Sequence, residues 1–131
     1  MLFRSISSEL DRGLDILELT PSANLSANEI AAAKLVTFTE YNPQSQPKMT
    51  WPPAFVVVRS YLDQLVRGKG LAADRTTAIA AALDVAEMKS GAARATALNA
   101  LATQVDNDAK GAKDGARVKR SEEHTSELQS H

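Results

Sequence analysis

Three glycine-containing breaks divide the second half of the chain into stretches that are each long enough for a helix. The breaks are Gly-Lys-Gly at 68–70, Ser-Gly at 90–91 and Lys-Gly at 110–111. Glycine adopts left-handed backbone geometry without a Cβ penalty, so each break is a typical helix end. The spacing predicts helices over residues 53–67, 73–89 and 92–109, joined by short connections that favour antiparallel neighbours.

Each predicted helix carries one apolar stripe at the three- and four-residue spacing of an amphipathic helix. Pro53 is predicted to open the first helix, because proline is well placed in the first turn. A further helix is predicted to begin near Lys113. The residues predicted to face inward are Phe55, Val58, Leu62 and Leu65 with Tyr61 beside them, then Ile79, Leu83 and Ala86, then Leu98, Leu101 and Val105.

The first half of the chain is mixed in character and begins with a predicted strand at 13–19 (GLDILEL). Leu14 and Ile16 share one face of this strand, while Leu17 and Leu19 share the other. A strand that is apolar on both faces is usually sandwiched within a sheet. The predicted fold class is therefore α+β and mostly α, with a short β segment followed by a small antiparallel bundle of three or four helices.

A short helix and a second strand are predicted between this β segment and the bundle. Ser26 and Glu29 have the spacing of a capping box, in which each side chain bonds to the backbone amide of the other. The helix is expected to run over residues 27–34. Residues 35–41 (LVTFTEY) then predict a second strand, before a polar, proline-containing loop.

Both ends of the chain resemble translated sequencing adapter. Residues 120–131 (RSEEHTSELQSH) resemble the translation of a common short-read library adapter, and residues 1–5 (MLFRS) resemble the same kind of adapter read from the opposite strand. Such segments belong outside fold reasoning. Without them two arginines and three glutamates are lost, so the formal net charge changes from −1 to zero. Both histidines, His124 and His131, also lie in the tail.

On this expectation the bundle is incomplete, because the apolar residues of its last helix lie beyond residue 119. The helix at 92–109 would then expose part of its apolar stripe, and the bundle would be marginally stable.

Composition excludes several classes of function. A neutral net charge argues against a general nucleic-acid or anionic-membrane binder. The chain has no apolar run long enough for a transmembrane helix. It has no cysteine, so it has no disulfide, thiolate nucleophile or Cys-based zinc site. We predict no cofactor, and we predict no catalytic, cofactor-binding or metal-binding residue.

Residues 11–19 (DRGLDILEL) resemble the "-RGLDI-" strand of LVIVD-repeat proteins, whose blades form a β-propeller. Residues 25–33 (LSANEIAAA) resemble a segment that follows the propeller in bacterial members. Residues 60–65 (SYLDQL) and the helices after them resemble a helical C-terminal extension. The resemblance implies an extracellular or periplasmic bacterial protein and supplies no catalytic residues.

The resemblance also implies a domain organisation. Residues 6–41 would be the terminal segment of an upstream propeller-like domain, residues 42–52 a linker and residues 53–119 a truncated helical bundle. The expected partners are that upstream domain of the same parent chain and another protein, and neither nucleic acid nor a membrane is expected.

Three hypotheses about function remain open. The chain is the non-catalytic C-terminal accessory region of a propeller protein, or it is a free-standing helical interaction module. In the second case residues 53–119 fold alone and residues 6–50 are disordered. A third hypothesis makes it the tail of a ligand-binding or hydrolytic propeller whose active site lies elsewhere in the parent chain.

Two acidic clusters have a functional and a structural interpretation. Asp11, Asp15 and Glu18 could form a cation site or an acid pair, but Glu18 falls on the opposite strand face, and turn or edge polarity is the favoured interpretation. Residues 106–108 (Asp-Asn-Asp) begin like a calcium loop, yet the closing glutamate is missing at the twelve-residue spacing. Asn107 and Asp108 are instead predicted to help end a helix.

Two further groups of residues also have both a functional and a structural interpretation. Ser60, Tyr61 and Lys69 suggest Ser/Lys or Tyr/Lys chemistry, but adjacent helical residues point in different directions, and the Gly-Lys-Gly segment lacks P-loop spacing. Trp51, with Pro52, Pro53 and Tyr41, could form an aromatic ligand platform. The favoured role of Trp51 is packing between the two halves of the chain.

Overall fold

The computed structural model describes residues 4–9, 11, 13–37, 44 and 49–130. Within these ranges, two short strands and one short helix precede four longer helices and a closing 3₁₀ turn. The predicted fold class is confirmed: the chain is mostly α, with a short β segment and a helical bundle.

The β segment is an antiparallel hairpin of β1 (Arg4–Glu9) and β2 (Gly13–Glu18), paired along their whole length. Gly13 has a φ of 88°, in the left-handed region that favours glycine, where the chain enters β2. Leu17 is 57% exposed and Leu19 is 41% exposed. The prediction that this strand is covered on both faces is therefore wrong for the Leu17 face, because no described element packs over it.

The short helix α1 (Ala27–Ala33) begins with the predicted capping box. The amide of Glu29 donates to Ser26 Oγ at 3.1 Å, and the amide of Ser26 donates to Glu29 Oε2 at 2.7 Å. Such a cap stabilises a helix by about 1 kcal/mol. Ile30 and Ala32 are buried, so the helix is held by packing as well as by its cap.

The strand predicted at 35–41 does not form where the structure describes it. Residues 34 and 35 make a turn, residues 36 and 37 have no regular structure, and residues 38–41 lie outside the described residues. The backbone amides of Leu35 and Val36 both donate to carbonyls of α1, so these donors are not free to pair with a neighbouring strand. Local hydrogen bonding at the helix end overrides the apolar alternation.

The bundle consists of α2 (Phe55–Gly68), α3 (Ala73–Glu87), α4 (Gly91–Ala109) and α5 (Gly115–Glu127), followed by the 3₁₀ turn Leu128–Ser130. Each helix packs against the next, and α5 also packs against α2, so the four helices close into a ring. This is the upper end of the predicted range of three or four helices.

The direction of α5 follows from two contacts with α2. Arg117 lies beside Gly68, with Nη1 3.7 Å from the position that a Cβ at Gly68 would occupy. The rings of Tyr61 and His124 are stacked with centroids 5.4 Å apart. The start of α5 thus meets the end of α2, and the two helices are antiparallel.

Two predicted helix starts differ in detail. The α2 helix begins at Phe55 rather than at Pro53, because the extended Ala54 (φ −150°, ψ 142°) is its N-cap and accepts from the amides of Val57 and Val58. The α4 helix begins at Gly91 rather than at residue 92, and Ser90 occupies its N-cap position without a side-chain capping hydrogen bond.

The hydrophobic core lies inside the ring of helices. Leu65, Leu83, Leu98 and Val118 come from four different helices, and each is at most 1% exposed. Complete burial of one such side chain contributes roughly 1.5–3 kcal/mol. The apolar stripes predicted for α2, α3 and α4 all face this core.

The expected exposure of the α4 stripe is not found in the full chain. Leu98, Leu101 and Val105 are 0%, 3% and 1% exposed. The α5 helix and the 3₁₀ turn cover them, with Val118 and Leu128 entering the same cluster. The difference arises because residues 120–130, which were excluded from the predicted fold, form most of α5.

Arginine–carboxylate pairs connect neighbouring helices outside the core. The closest N–O distance is 2.7 or 2.8 Å in each case. Exposed pairs of this kind contribute about 0–1 kcal/mol each, so their main effect is to fix how the helices align and not to stabilise the fold. The pairs are Arg59 with Asp84 and Glu87, Arg67 with Glu29, and Arg75 with Asp108.

The α1 helix packs on α2, although it precedes the linker predicted at 42–52. Arg67 donates to both carboxylate oxygens of Glu29, at 2.8 and 2.9 Å, and Nδ2 of the Asn28 side chain donates to Asp63 Oδ2 at 2.9 Å. The hydrogen bonds from Arg67 are the largest cause that lowers the pKa of Glu29 from 4.5 to about 2. At neutral pH this carboxylate is charged and binds α1 to the bundle.

Candidate functional site: a cleft at one end of the bundle

An open cleft of about 840 Å³ lies where α2 ends, α3 begins and α4 ends. It combines an apolar floor with charged groups at its rim. The residues that line it are Val66, Lys69, Gly70, Leu71, Ala72, Ala73, Arg75, Thr76, Asn107, Asp108, Gly111, Ala112 and Lys113.

The Gly-Lys-Gly segment forms one wall of the cleft, and it ends α2 as predicted. The residue in left-handed geometry is Lys69 (φ 50°, ψ 39°) rather than a glycine. Gly70 is needed for a different reason: a Cβ there would lie 2.9 Å from Leu65 Cδ2 and 3.0 Å from Asp114 Cβ. The carbonyl of Gly70 also accepts from the amide of Asp114 at 3.2 Å, which ties the start of α5 to this wall.

A bidentate ion pair crosses the cleft. Arg75 Nε donates to Asp108 Oδ1 at 3.1 Å, and Arg75 Nη2 donates to Oδ2 at 2.8 Å. The hydrogen bond to Asp108 raises the pKa of Arg75 above its usual value. Asp108 is thus paired with Arg75 and lies within α4. Residues 106–108 are therefore part of a helix and do not form a calcium loop.

The polar groups of the cleft do not form a nucleophile and base. The hydroxyl of Thr76, a buried residue, donates to the carbonyl of Ala73 at 2.9 Å. Lys69 and Lys113 are exposed at the rim. The cleft therefore combines an apolar floor with two exposed cations at its rim.

The structure does not bring together Ser60, Tyr61 and Lys69. The Ser60 hydroxyl is buried and donates to the carbonyl of Val57 at 2.7 Å, while the Tyr61 ring stacks on His124. Nine residues separate Ser60 from Lys69 along α2 and its cap, which corresponds to roughly 13 Å of helix rise. The helix-stop function predicted for the Gly-Lys-Gly segment is confirmed.

The acidic residues of the hairpin are also dispersed. Asp11 and Glu18 are exposed, and Asp15 is half-buried opposite Ser7 in the strand register. Over the parts of the chain that the structure describes, no cluster of three or more His, Asp or Glu side chains is placed to hold a metal ion.

Trp51 is half-buried just before α2, as a residue that packs against the bundle would be. Tyr41, its predicted partner in an aromatic platform, lies outside the described residues. The packing role of Trp51 stays a prediction.

One structural residue was missed by sequence reasoning. His124 stacks on Tyr61, and its Nδ1 lies 2.9 Å from Glu127 Oε2. The three-residue spacing of His124 and Glu127 could have indicated their contact on a helix. Nothing local in the sequence pairs His124 with Tyr61, because that contact depends on how α5 packs against α2.

Comparison with protein-family models, with curated proteins and with solved structures found no match. Among the described residues, no helix combines the length and apolar character needed to cross a membrane.

Proposed function

We propose that this chain is a non-catalytic accessory region: a helical bundle that makes contacts between domains or proteins and is joined to a β domain through its N-terminal hairpin. One observation carries the proposal. Side chains from α2, α3, α4, α5 and the 3₁₀ turn together make one core cluster, around which the four helices close as a ring. In the proposal the bundle holds together through this core, and the hairpin attaches it to the β domain.

The hairpin has the features expected of a β element that belongs to a larger sheet. No third strand among the described residues pairs with either edge of the β1–β2 hairpin. Open edges and exposed side chains such as Leu17 and Leu19 favour pairing with further strands. This supports the proposal that the hairpin continues a sheet in the parent protein, which we take to be an extracellular or periplasmic propeller of bacterial origin.

A second candidate, a free-standing helical interaction module, is favoured by the same closed core. It differs in what the hairpin does: an interaction module does not need the hairpin to join a sheet. The two candidates share the helical bundle and its partner-binding role, so the experiment has to follow the hairpin.

Amide hydrogen exchange of the full chain, and of the longer polypeptide encoded by the contiguous gene, tests the proposal. In the chain alone, we expect slow cooperative exchange in α2–α5 and fast exchange in both strands, because an isolated two-stranded hairpin is marginally stable. In the longer polypeptide the strand amides should become protected. Unchanged fast exchange there would contradict attachment to a β domain and favour the free-standing module.

A further inference from the structure

The cleft at the end of the bundle has an apolar floor that is continuous with the core. Leu71 and Ala112 are partly buried and pack against the core cluster, while Val66 lines the same cleft and is 56% exposed. Apolar surface of this kind is in contact with water, and a bound apolar group would cover it favourably. The volume of about 840 Å³ lies within the range of about 300–1,000 Å³ that is typical of small-ligand sites.

The rim of the cleft is positively charged. The lining residues include three cations, Lys69, Arg75 and Lys113, and one carboxylate, Asp108, which leaves a net charge of plus two. Asp108 is bonded to Arg75, so the excess charge belongs to the two lysines. Asp74 acts on the charge of Arg75 but does not belong to the lining. The whole chain has a formal net charge of −1, so this positive charge is local to the cleft.

The fold holds the two lysines on one wall of the cleft. The amide of Asp114 donates to the carbonyl of Gly70 at 3.2 Å, and Lys69 and Lys113 each directly precede one member of this pair. Both lysines are exposed, and neither forms a salt bridge with a residue that the structure describes. The carboxylate of Asp114 is paired with Arg117 Nη1 at 3.1 Å. Two like charges held together without a counter-ion are complementary to an anion.

We propose that the cleft binds a small amphiphilic anion, whose apolar body covers the floor and whose carboxylate lies between Lys69 and Lys113. The apolar contact supplies affinity, and the two lysines select for negative charge and orient the ligand. A small ligand is favoured over a polypeptide segment because the cleft is confined to three helix ends and does not continue along a helix. The inference goes beyond the proposed function, which concerns contacts between domains or proteins.

Three ligands that share one apolar body test the proposal in the full chain. Phenylbutyrate is an anion, phenylbutanol is neutral and phenylbutylamine is a cation, and amide chemical shifts in NMR spectra are the readout. We expect phenylbutyrate to shift the amides of residues 69–76 and 107–113, with a dissociation constant of about 1 mM or below. The amine should bind about tenfold more weakly or worse, because the lysines repel it. Acetate, which has the charge without the apolar body, should also bind about tenfold more weakly or worse.

Matched variants locate the anionic group of the ligand. Lys69→Gln together with Lys113→Gln should weaken the binding of phenylbutyrate about tenfold and remove its preference over phenylbutanol. As a control, Lys89→Gln together with Lys119→Gln removes the same charge from exposed lysines outside the cleft and should leave the affinity unchanged. Val66→Asp, at an exposed position of the floor, should weaken the binding of phenylbutyrate at least as much as the Lys69 and Lys113 substitutions do.

Several results would overturn the proposal. They are equal affinity for the three ligands, equal effects of the two lysine pairs, and the absence of shifts in the cleft amides at about 10 mM phenylbutyrate. An acetylated Asp-Leu-Glu-Leu peptide that binds about tenfold more tightly than phenylbutyrate would overturn it as well, and would assign the cleft to an acidic polypeptide segment. The ligand series on the unmodified chain decides the matter even if a variant loses its fold. None of these results alters the hydrogen exchange of the hairpin, which tests the proposed function separately.

Discussion

The contact between Glu29 and Arg67 makes the packing of α1 on the bundle dependent on pH. Glu29 accepts two hydrogen bonds from Arg67 and one from the amide of Ser26, and its pKa is lowered from 4.5 to about 2. The substitution Glu29→Gln keeps the shape of the side chain and an acceptor for the capping box, which uses Glu or Gln. It removes the charge that Arg67 binds.

The magnitude follows from the pKa. A difference of about 2.5 units corresponds to a ceiling of about 3.4 kcal/mol, at about 1.36 kcal/mol per unit. Because the pair lies at a solvated surface, screening reduces this, and we expect Glu29→Gln to lower the free energy of unfolding by about 1–2 kcal/mol at pH 7. The folded pKa is below the unfolded one, so this stability is present above pH 4.5 and is lost as the pH falls from about 4.5 towards about 2.

Urea unfolding of the two proteins at pH 7 and at pH 3, followed by circular dichroism, measures the effect. The difference in free energy of unfolding between the two proteins should be less than half as large at pH 3 as at pH 7. A carboxyl NMR titration should place the pKa of Glu29 near 2. As a control, Glu123→Gln removes a carboxylate from an exposed position of α5 and should change stability by less than about 0.5 kcal/mol. A Glu29 pKa close to 4.5, or equal destabilisation at both pH values, would refute the reasoning.

Three further predictions concern the bundle. Gly70→Ala should destabilise the chain by about 1–3 kcal/mol, because its Cβ would meet Leu65 at 2.9 Å, whereas Gly111→Ala, with nothing within 4 Å, should not; thermal unfolding compares them. Leu98→Ala should cost about 2–5 kcal/mol in urea unfolding, since Leu98 is 0% exposed, and a loss below 1 kcal/mol would show that α4 is not packed as described. Ending the chain at Lys119 should expose the apolar stripe of α4, so that the unfolding transition becomes broad and the stripe binds a hydrophobic dye. A sharp transition like that of the full chain would show that residues 120–131 add nothing to the bundle.

Much of the candidate cleft could be anticipated from local signals, but its central ion pair could not. The Gly-Lys-Gly helix stop and the end of α4 near Lys110 were both predicted, and they supply two of its walls. The contact of Arg75 with Asp108 joins residues 33 positions apart, on neighbouring helices. No spacing in the sequence indicates such a pair, because it depends on the packing angle of α3 and α4.

The sequence by itself determined the approximate limits of α1 to α4, and which faces of α2, α3 and α4 are apolar. The Ser26–Glu29 capping box, the glycine breaks and the stripes of α2, α3 and α4 are local, since each depends on atoms within a few residues. Only the tertiary structure decided that β2 pairs with β1 and leaves Leu17 exposed, that α1 binds α2 through Arg67, and that α5 covers α4 with serine and threonine among its buried residues. These outcomes depend on which surfaces meet in space. Contact between distant segments buries residues that the local sequence pattern alone would place on the solvent-exposed surface.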